Sequence, residues 1–275
     1  GNTTGKDPKK ADWNHYYKFM NAQLTELLTK YGKVDGIWFD GWWDHDEDSV
    51  PFNWQLPEQY RMIHSLQPAC IIGNNHHQTP FEGEDMQMFE RDIPGENKSG
   101  LSGQSISQLP LETCQTMNGM WGYKIKDQDY KSPKELIRLL VRTAAKGANL
   151  LLNIGPQPNG ELPATALDRL SDMGKWLNGK AGESIYATVR GNINVGDSIV
   201  STMGKGKNAP LYIHVLSDTV PSSVTLPIKS KIKNAVNLEN GNKIKYQRNG
   251  KAGTISFMTD RQDNDNTDYI IKVEF

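Results

Sequence analysis

Lys33-Val-Asp-Gly-Ile-Trp-Phe-Asp-Gly-Trp-Trp43 is the stretch on which the reading of this chain turns. Its apolar run, Val34 to Phe39, has the length of a strand and ends abruptly in an acid, a glycine and two tryptophans. An acid inside the strand would be desolvated at large cost, whereas one at the strand mouth faces a polar ligand while the sheet fixes its backbone. Asp40 is therefore the first candidate for chemistry. Gly41 frees the chain to turn at once, and Trp42 and Trp43 offer flat apolar walls of the kind sugars stack on. The competing reading of these residues is a strand followed by an acidic turn with core tryptophans.

Upstream, Asp12 reads as an N-cap, and Trp13, Tyr16, Tyr17, Met20, Leu24, Leu27, Leu28 and Tyr31 recur at helical spacing before Gly32 stops the helix. Helix, tight turn and strand form the grammar of a parallel α/β unit. The same grammar continues downstream. A helix over Pro57 to Leu66 leads to a strand over Cys70 to Asn75, a short strand over Met86 to Glu90 and a fourth over Leu111 to Met117. Ser132-Pro-Lys-Glu135 is a capping-box start to the next helix, and Asn149 to Gly155 reads as a buried parallel strand, followed by a helix over Pro163 to Leu177. Residues 92–110, rich in Gly, Ser, Pro and Gln, are expected to form a long functional loop over a site.

After Gly179 the grammar changes to short β-rich runs at Ile213–Leu216, Val224–Leu226, Ala235–Leu238, Ile255–Met258 and Tyr269–Phe275, with hairpin signals at Asn240-Gly241 and Asn249-Gly250. The expected organisation is a barrel-like domain over 1–183 and a β-sandwich over 184–275.

The 31 basic and 32 acidic residues nearly cancel, so the chain has no footprint of a nucleic-acid binder or of a polybasic membrane surface. No stretch approaches the roughly 20 apolar residues that span a bilayer. Cys70 and Cys114 could pair only in an oxidising compartment; two separate buried thiols are expected. The acidic run Asp44 to Asp48 lacks the glycine and carbonyl offsets of a calcium loop and reads as a solvated rim, and no metal or cofactor is expected. The His76-His77 pair points to opposite faces, so one of the two at most aims at a given ligand. Neither a nucleophile elbow, a dinucleotide fingerprint nor a P-loop is present. Strands that end in Asp40, Asn74-Asn75, Glu90, Glu112 and Asn153 would converge on one face of a parallel barrel, and two carboxylates with aromatic walls point to glycoside hydrolysis.

Tyr16-Tyr17, Gln23-Leu-Thr-Glu-Leu27 and Val34-Asp-Gly-Ile-Trp-Phe-Asp-Gly-Trp42 resemble the α-L-fucosidases of glycoside hydrolase family 29. So do Leu111-Glu-Thr-Cys114, Trp121-Gly-Tyr123, Gly147-Ala-Asn-Leu-Leu-Leu-Asn-Ile-Gly-Pro156, Asn159-Gly160 and Ile185-Tyr186. The resemblance implies a (β/α)8 barrel of which this chain holds only about the fourth strand onward, followed by the sandwich. It implies a retaining fucosidase acting on fucosylated glycans, with Asp40 as nucleophile. For the acid/base it favours Glu90, with Glu112 as the rival or a binding residue. Trp121 would pack on the apolar side of fucose, with Trp42 and His76 lining the pocket. An arginine common after the second strand is replaced here by His76 and His77, and the His-His-Asp-Gly segment of the family's first units is missing. Five strands cannot close an eight-stranded barrel, so the chain is expected to be part of a longer protein or to be completed by a second chain. A catalytically impaired fragment or a carbohydrate-binding protein is the alternative. The compartment is not legible in the residues; the family implies a periplasmic, secreted or lysosome-like one.

Overall fold

The structure, a computed structural model, describes residues 12–41, 52–261 and 264–275. Trp42 and the acidic run 44–48 lie outside the described residues. The chain divides between Cys114 and Gln115 into two compact units.

In the first unit, helix α1 (Trp13–Lys30) is capped by the Asp12 carboxylate, which accepts from the His15 N–H at 2.9 Å. It turns through Gly32, whose φ of +79° suits a residue without Cβ, into strand β1 (Gly36–Phe39). Gln67, which follows helix α2 (Leu56–Leu66), pins this turn. Its side-chain oxygen accepts from the Val34 N–H, and its amide donates to the carbonyls of Leu28 and Gly32. Strand β2 (Ile71–Asn74) then pairs parallel with β1, Gly36 opposite Ile71 and Phe39 opposite Asn74. Leu24, Leu28, Leu56, Tyr60, Ile63, Cys70 and Ile72 form the core between the helices and this pair. Among the described residues β1 pairs with β2 alone, and Trp38 on it stays 48% exposed.

Strand β3 (Gln87–Glu90) pairs parallel with strand β4 (Leu111–Thr116), Glu90 opposite Cys114. The segment between them does not stand clear of the strands throughout. Its second half runs back along β3: Ser102 donates to the Glu90 carbonyl, Gln104 to the Met88 carbonyl, and Gln87 exchanges bonds with Ser105 and Ser107. Hydroxyls and amides from a Ser/Gln-rich loop thus satisfy backbone groups that a strand partner would otherwise take.

In the second unit, helix α3 (Pro133–Ala145) opens with the complete capping box, Ser132 Oγ accepting from the Glu135 N–H and Glu135 accepting from the Ser132 N–H. These bonds to the charged form hold the Glu135 carboxyl below the usual range. Strand β5 (Ala148–Asn153) and helix α4 (Ala164–Asn178) follow. Leu136, Ile137, Val141 and Ala145 of α3 pack with Ala166 and Met173 of α4. The apolar run of β5 is less enclosed than its composition suggests, with Leu151 38% exposed.

A short 3-10 helix, Lys180–Ser184, leads into eight strands among the described residues. They are β6 (Thr188–Arg190), β7 (Ile199–Gly204), β8 (Leu211–Val215), β9 (Ser223–Leu226), β10 (Asn234–Asn237), β11 (Lys245–Asn249), β12 (Thr254–Met258) and β13 (Tyr269–Glu274). One antiparallel sheet runs β10-β13-β8-β7-β6 and the other β11-β12-β9. Ile213, Val215, Leu226, Ile255, Phe257, Ile271 and Val273 fill the space they enclose, as in a sandwich.

Candidate active site

Parallel pairing decides which polar residues meet. Because Phe39 lies opposite Asn74, the next residues, Asp40 and Asn75, project from one face, and the ladder continues through Asn75 N–H to the Phe39 carbonyl at 2.9 Å. Asp40 is exposed at the strand mouth. Asn75 is only 4% exposed, and its side-chain nitrogen donates to Asp40 Oδ1 at 3.2 Å and to Glu90 Oε2 at 3.0 Å. A flipped amide would turn an oxygen toward two carboxylates, so the nitrogen faces them. One amide thus spans the two acids, and the two bonds cannot hold those oxygens more than about 6 Å apart.

The second partner of Glu90 is His77. Its Nε2 lies 2.9 Å from the same Oε2, and its backbone stands at φ +60°, a left-handed conformation uncommon for a side chain of this size. The next residue after Glu90, Arg91, is also left-handed, at φ +62°. Backbone held in such conformations costs free energy and clusters at functional sites.

On β4 the alternation puts Cys114 and Glu112 on the face of Glu90, Glu112 one step lower, opposite Met88. Burial, then the nearby charges of Glu90, Glu112 and Asp40, push the Cys114 thiol up to about 12. Buried and raised in this way, the thiol favours its protonated form. Burial also raises the Glu112 carboxyl above its usual range. Both cysteines are free and buried.

His76 is directed elsewhere. It is 2% exposed, its Nδ1 accepts from the Gln78 N–H, and its Nε2 donates to Glu84 at 2.9 Å. Glu84 also accepts from the Tyr60 hydroxyl, which accepts in turn from Asn74. Burial holds the Tyr60 hydroxyl well above its usual range. His76 thus belongs to a buried network, and its neighbour is the histidine at the carboxylate pair. Adjacent side chains diverge, and the left-handed turn at His77 selects which one returns to the strand mouth.

Trp121 lies in the second unit, where its carbonyl accepts from the Asn153 side chain at 2.7 Å. Asn153 also bonds Thr116, and its carbonyl accepts from the Met117 N–H. Among the described residues no group of three or more His, Cys, Asp or Glu side chains is arranged to hold a metal ion, and no helix is long and apolar enough to cross a membrane.

Polar and acidic residues at the mouths of parallel strands in the first unit, and antiparallel sheets in the second, define the class: an α/β protein with an added all-β part. The chain belongs to the alpha-L-fucosidase family, which it matches over residues 2–182. It is 42% identical over 193 residues to an alpha-L-fucosidase of Dictyostelium discoideum, a match covering 67% of this chain and 38% of that protein. It is also similar to the solved structure of alpha-L-fucosidase isoenzyme 1 from Paenibacillus thiaminolyticus. There the TM-score is 0.76 and the identity 30%, over 99% of this chain and 65% of that one. A GH29 alpha-L-fucosidase from Bacteroides thetaiotaomicron, solved as a trapped covalent intermediate in a glutamate-to-glutamine mutant, shares the fold at a TM-score of 0.75 and 21% identity. That match covers 99% of this chain and 64% of that one. The chain thus spans well under half the length of the curated relative and just under two thirds of these solved chains.

Proposed function

We propose that the protein carrying this chain hydrolyses terminal α-L-fucose from glycans with retention of configuration. The observation that carries the reading is the Asn75 amide nitrogen bonded at once to Asp40 and Glu90. The two N–H directions of a planar amide diverge by about 120°, so oxygens about 3 Å along them stand about 5 Å apart. A retaining carboxylate pair has a separation of about 5 to 5.5 Å, whereas an inverting pair stands farther apart to admit a water.

In the first step an Asp40 oxygen attacks the anomeric carbon, the glycosidic C–O bond breaks, and the Glu90 proton passes to the leaving oxygen. In the second, water adds its oxygen to that carbon, gives a proton to Glu90 and releases the Asp40 ester. Glu90 is preferred to Glu112 because it shares a donor with Asp40, while Glu112 sits one step lower on its strand. The relative trapped as a covalent intermediate supports the ester step.

Residues 1–183 are taken as part of a (β/α)8 barrel and 184–275 as the sandwich. The greater length of the relatives and the unpaired edge of β1 among the described residues support strands supplied from outside this sequence, by a longer chain or a second one. The test is turnover by the complete protein of an aryl α-L-fucoside against an aryl galactoside, with the first-formed anomer followed by proton NMR. Hydrolysis of the fucoside with α-fucose appearing first is expected. Binding without turnover, or β-fucose appearing first, would contradict the reading.

A further inference from the structure

We propose that His77 is a positioning residue that fixes which oxygen of Glu90 exchanges the proton; the inference rests on Glu90 being the acid/base. Two donors converge on Glu90 Oε2, the Asn75 amide at 3.0 Å and His77 Nε2 at 2.9 Å. An oxygen that already accepts two hydrogen bonds is a poor seat for a proton, so the transferable proton sits on Oε1. Oε2 remains an acceptor whether Glu90 is protonated or ionised. His77 therefore keeps its proton on Nε2 through both steps, and only Oε1 gives its proton to the leaving oxygen and takes one from water.

The design is asymmetric. Asn75 has one N–H for each carboxylate and leaves one oxygen of Asp40 free to attack, but it cannot alone hold the rotation of Glu90. His77 supplies the second point from two residues further along the same segment, at a left-handed backbone. The carboxyl is 12% exposed and the imidazole 15%, so water competes little for the bond. Among the described residues, the titratable groups on the elements beside Glu90 include Asp40 at the end of β1, Glu112 and Cys114 on β4, and Arg91, the next residue along the chain.

Without the His77 donor the Glu90 carboxyl is held by Asn75 alone and can rotate, so Oε1 is no longer fixed toward the leaving oxygen. The loss should then fall on substrates whose leaving oxygen needs a proton. The test uses His77→Asn, which tolerates the left-handed backbone but is too short to reach Glu90, and His77→Phe, which keeps the ring without the donor. His77→Gln, which restores an N–H at similar reach, is the rescue.

In the complete protein both disrupting variants should lose about tenfold on a poor leaving group while sparing a good one. His77→Gln should return the activity on the poor leaving group toward the parent. Equal loss on both leaving groups, or no rescue by glutamine, would overturn the proposal and leave His77 a packing residue. If Glu90→Ala itself shows no dependence on the leaving group, the assignment of Glu90 fails instead, so the two failures are distinguishable.

Discussion

Replacing Asp40 with asparagine is expected to abolish turnover, lowering kcat for an aryl α-L-fucoside by about 10⁴-fold or more. The substitution is nearly isosteric, and an asparagine oxygen at the Oδ1 position can still accept from Asn75, so the local fold should persist. What disappears is the anionic oxygen that forms the ester. Binding should survive, because the pocket walls and the Asn75–Glu90 contact are untouched, and KM for the residual activity should change little. Thermal melting of the variant alongside the parent checks that the loss is chemical. A variant that retains more than a tenth of parental kcat would remove Asp40 from the mechanism.

The second large effect concerns Glu90→Ala. General acid catalysis contributes about 10²- to 10⁴-fold, and only where the departing oxygen needs a proton. A phenyl or alkyl fucoside should therefore lose activity on that scale, while fluoride or a dinitrophenolate leaves in the first step almost as fast as with the parent. Glu112→Ala is the control. Glu112 is half-buried on the same face, and its burial favours the protonated form, so its loss should lower both kinds of substrate alike through packing and binding. If the leaving-group dependence appears in Glu112→Ala and not in Glu90→Ala, the two glutamates exchange roles.

Much of the first unit was legible because burial and chemistry pull in one direction along it. The run Val34 to Phe39 ending in Asp40 announces a strand mouth, the Asp12 cap marks a helix start, and Gln87–Glu90 and Leu111–Thr116 fall within the strands expected over Met86 to Glu90 and Leu111 to Met117. The choice between His76 and His77 was not legible. It depends on the left-handed backbone at His77 and on Glu84 taking His76 into the core, neither of which one-dimensional spacing records. A parity count from Asp40 across to Asn75 could have found the bridging amide once the parallel register was assumed.

In the second unit the strands β6, β7 and β11 escaped the sequence. Thr188–Arg190 is too short to alternate, Ile199–Gly204 mixes Ser, Thr and Gly into a strand that its neighbours stabilise, and Lys245–Asn249 is exposed at every position. Such strands are held by pairing partners rather than by their own pattern. The two Asn-Gly signals were informative: Asn249-Gly250 joins β11 to β12, and Gly241 at φ +78° lets the chain after β10 fold back so that Lys243 bridges Val236.

The central claim is that Asp40 captures the sugar covalently across a short gap from Glu90. Incubating the complete protein with a 2-deoxy-2-fluoro-fucosyl fluoride and mapping the peptides by mass spectrometry tests it most directly, because the fluorine slows release of the ester more than its formation. The label is predicted on the peptide carrying Asp40, at that side chain, and it should be absent from Asp40→Asn. A label on Glu90 or Glu112, or inactivation with no covalent adduct anywhere, would contradict the account.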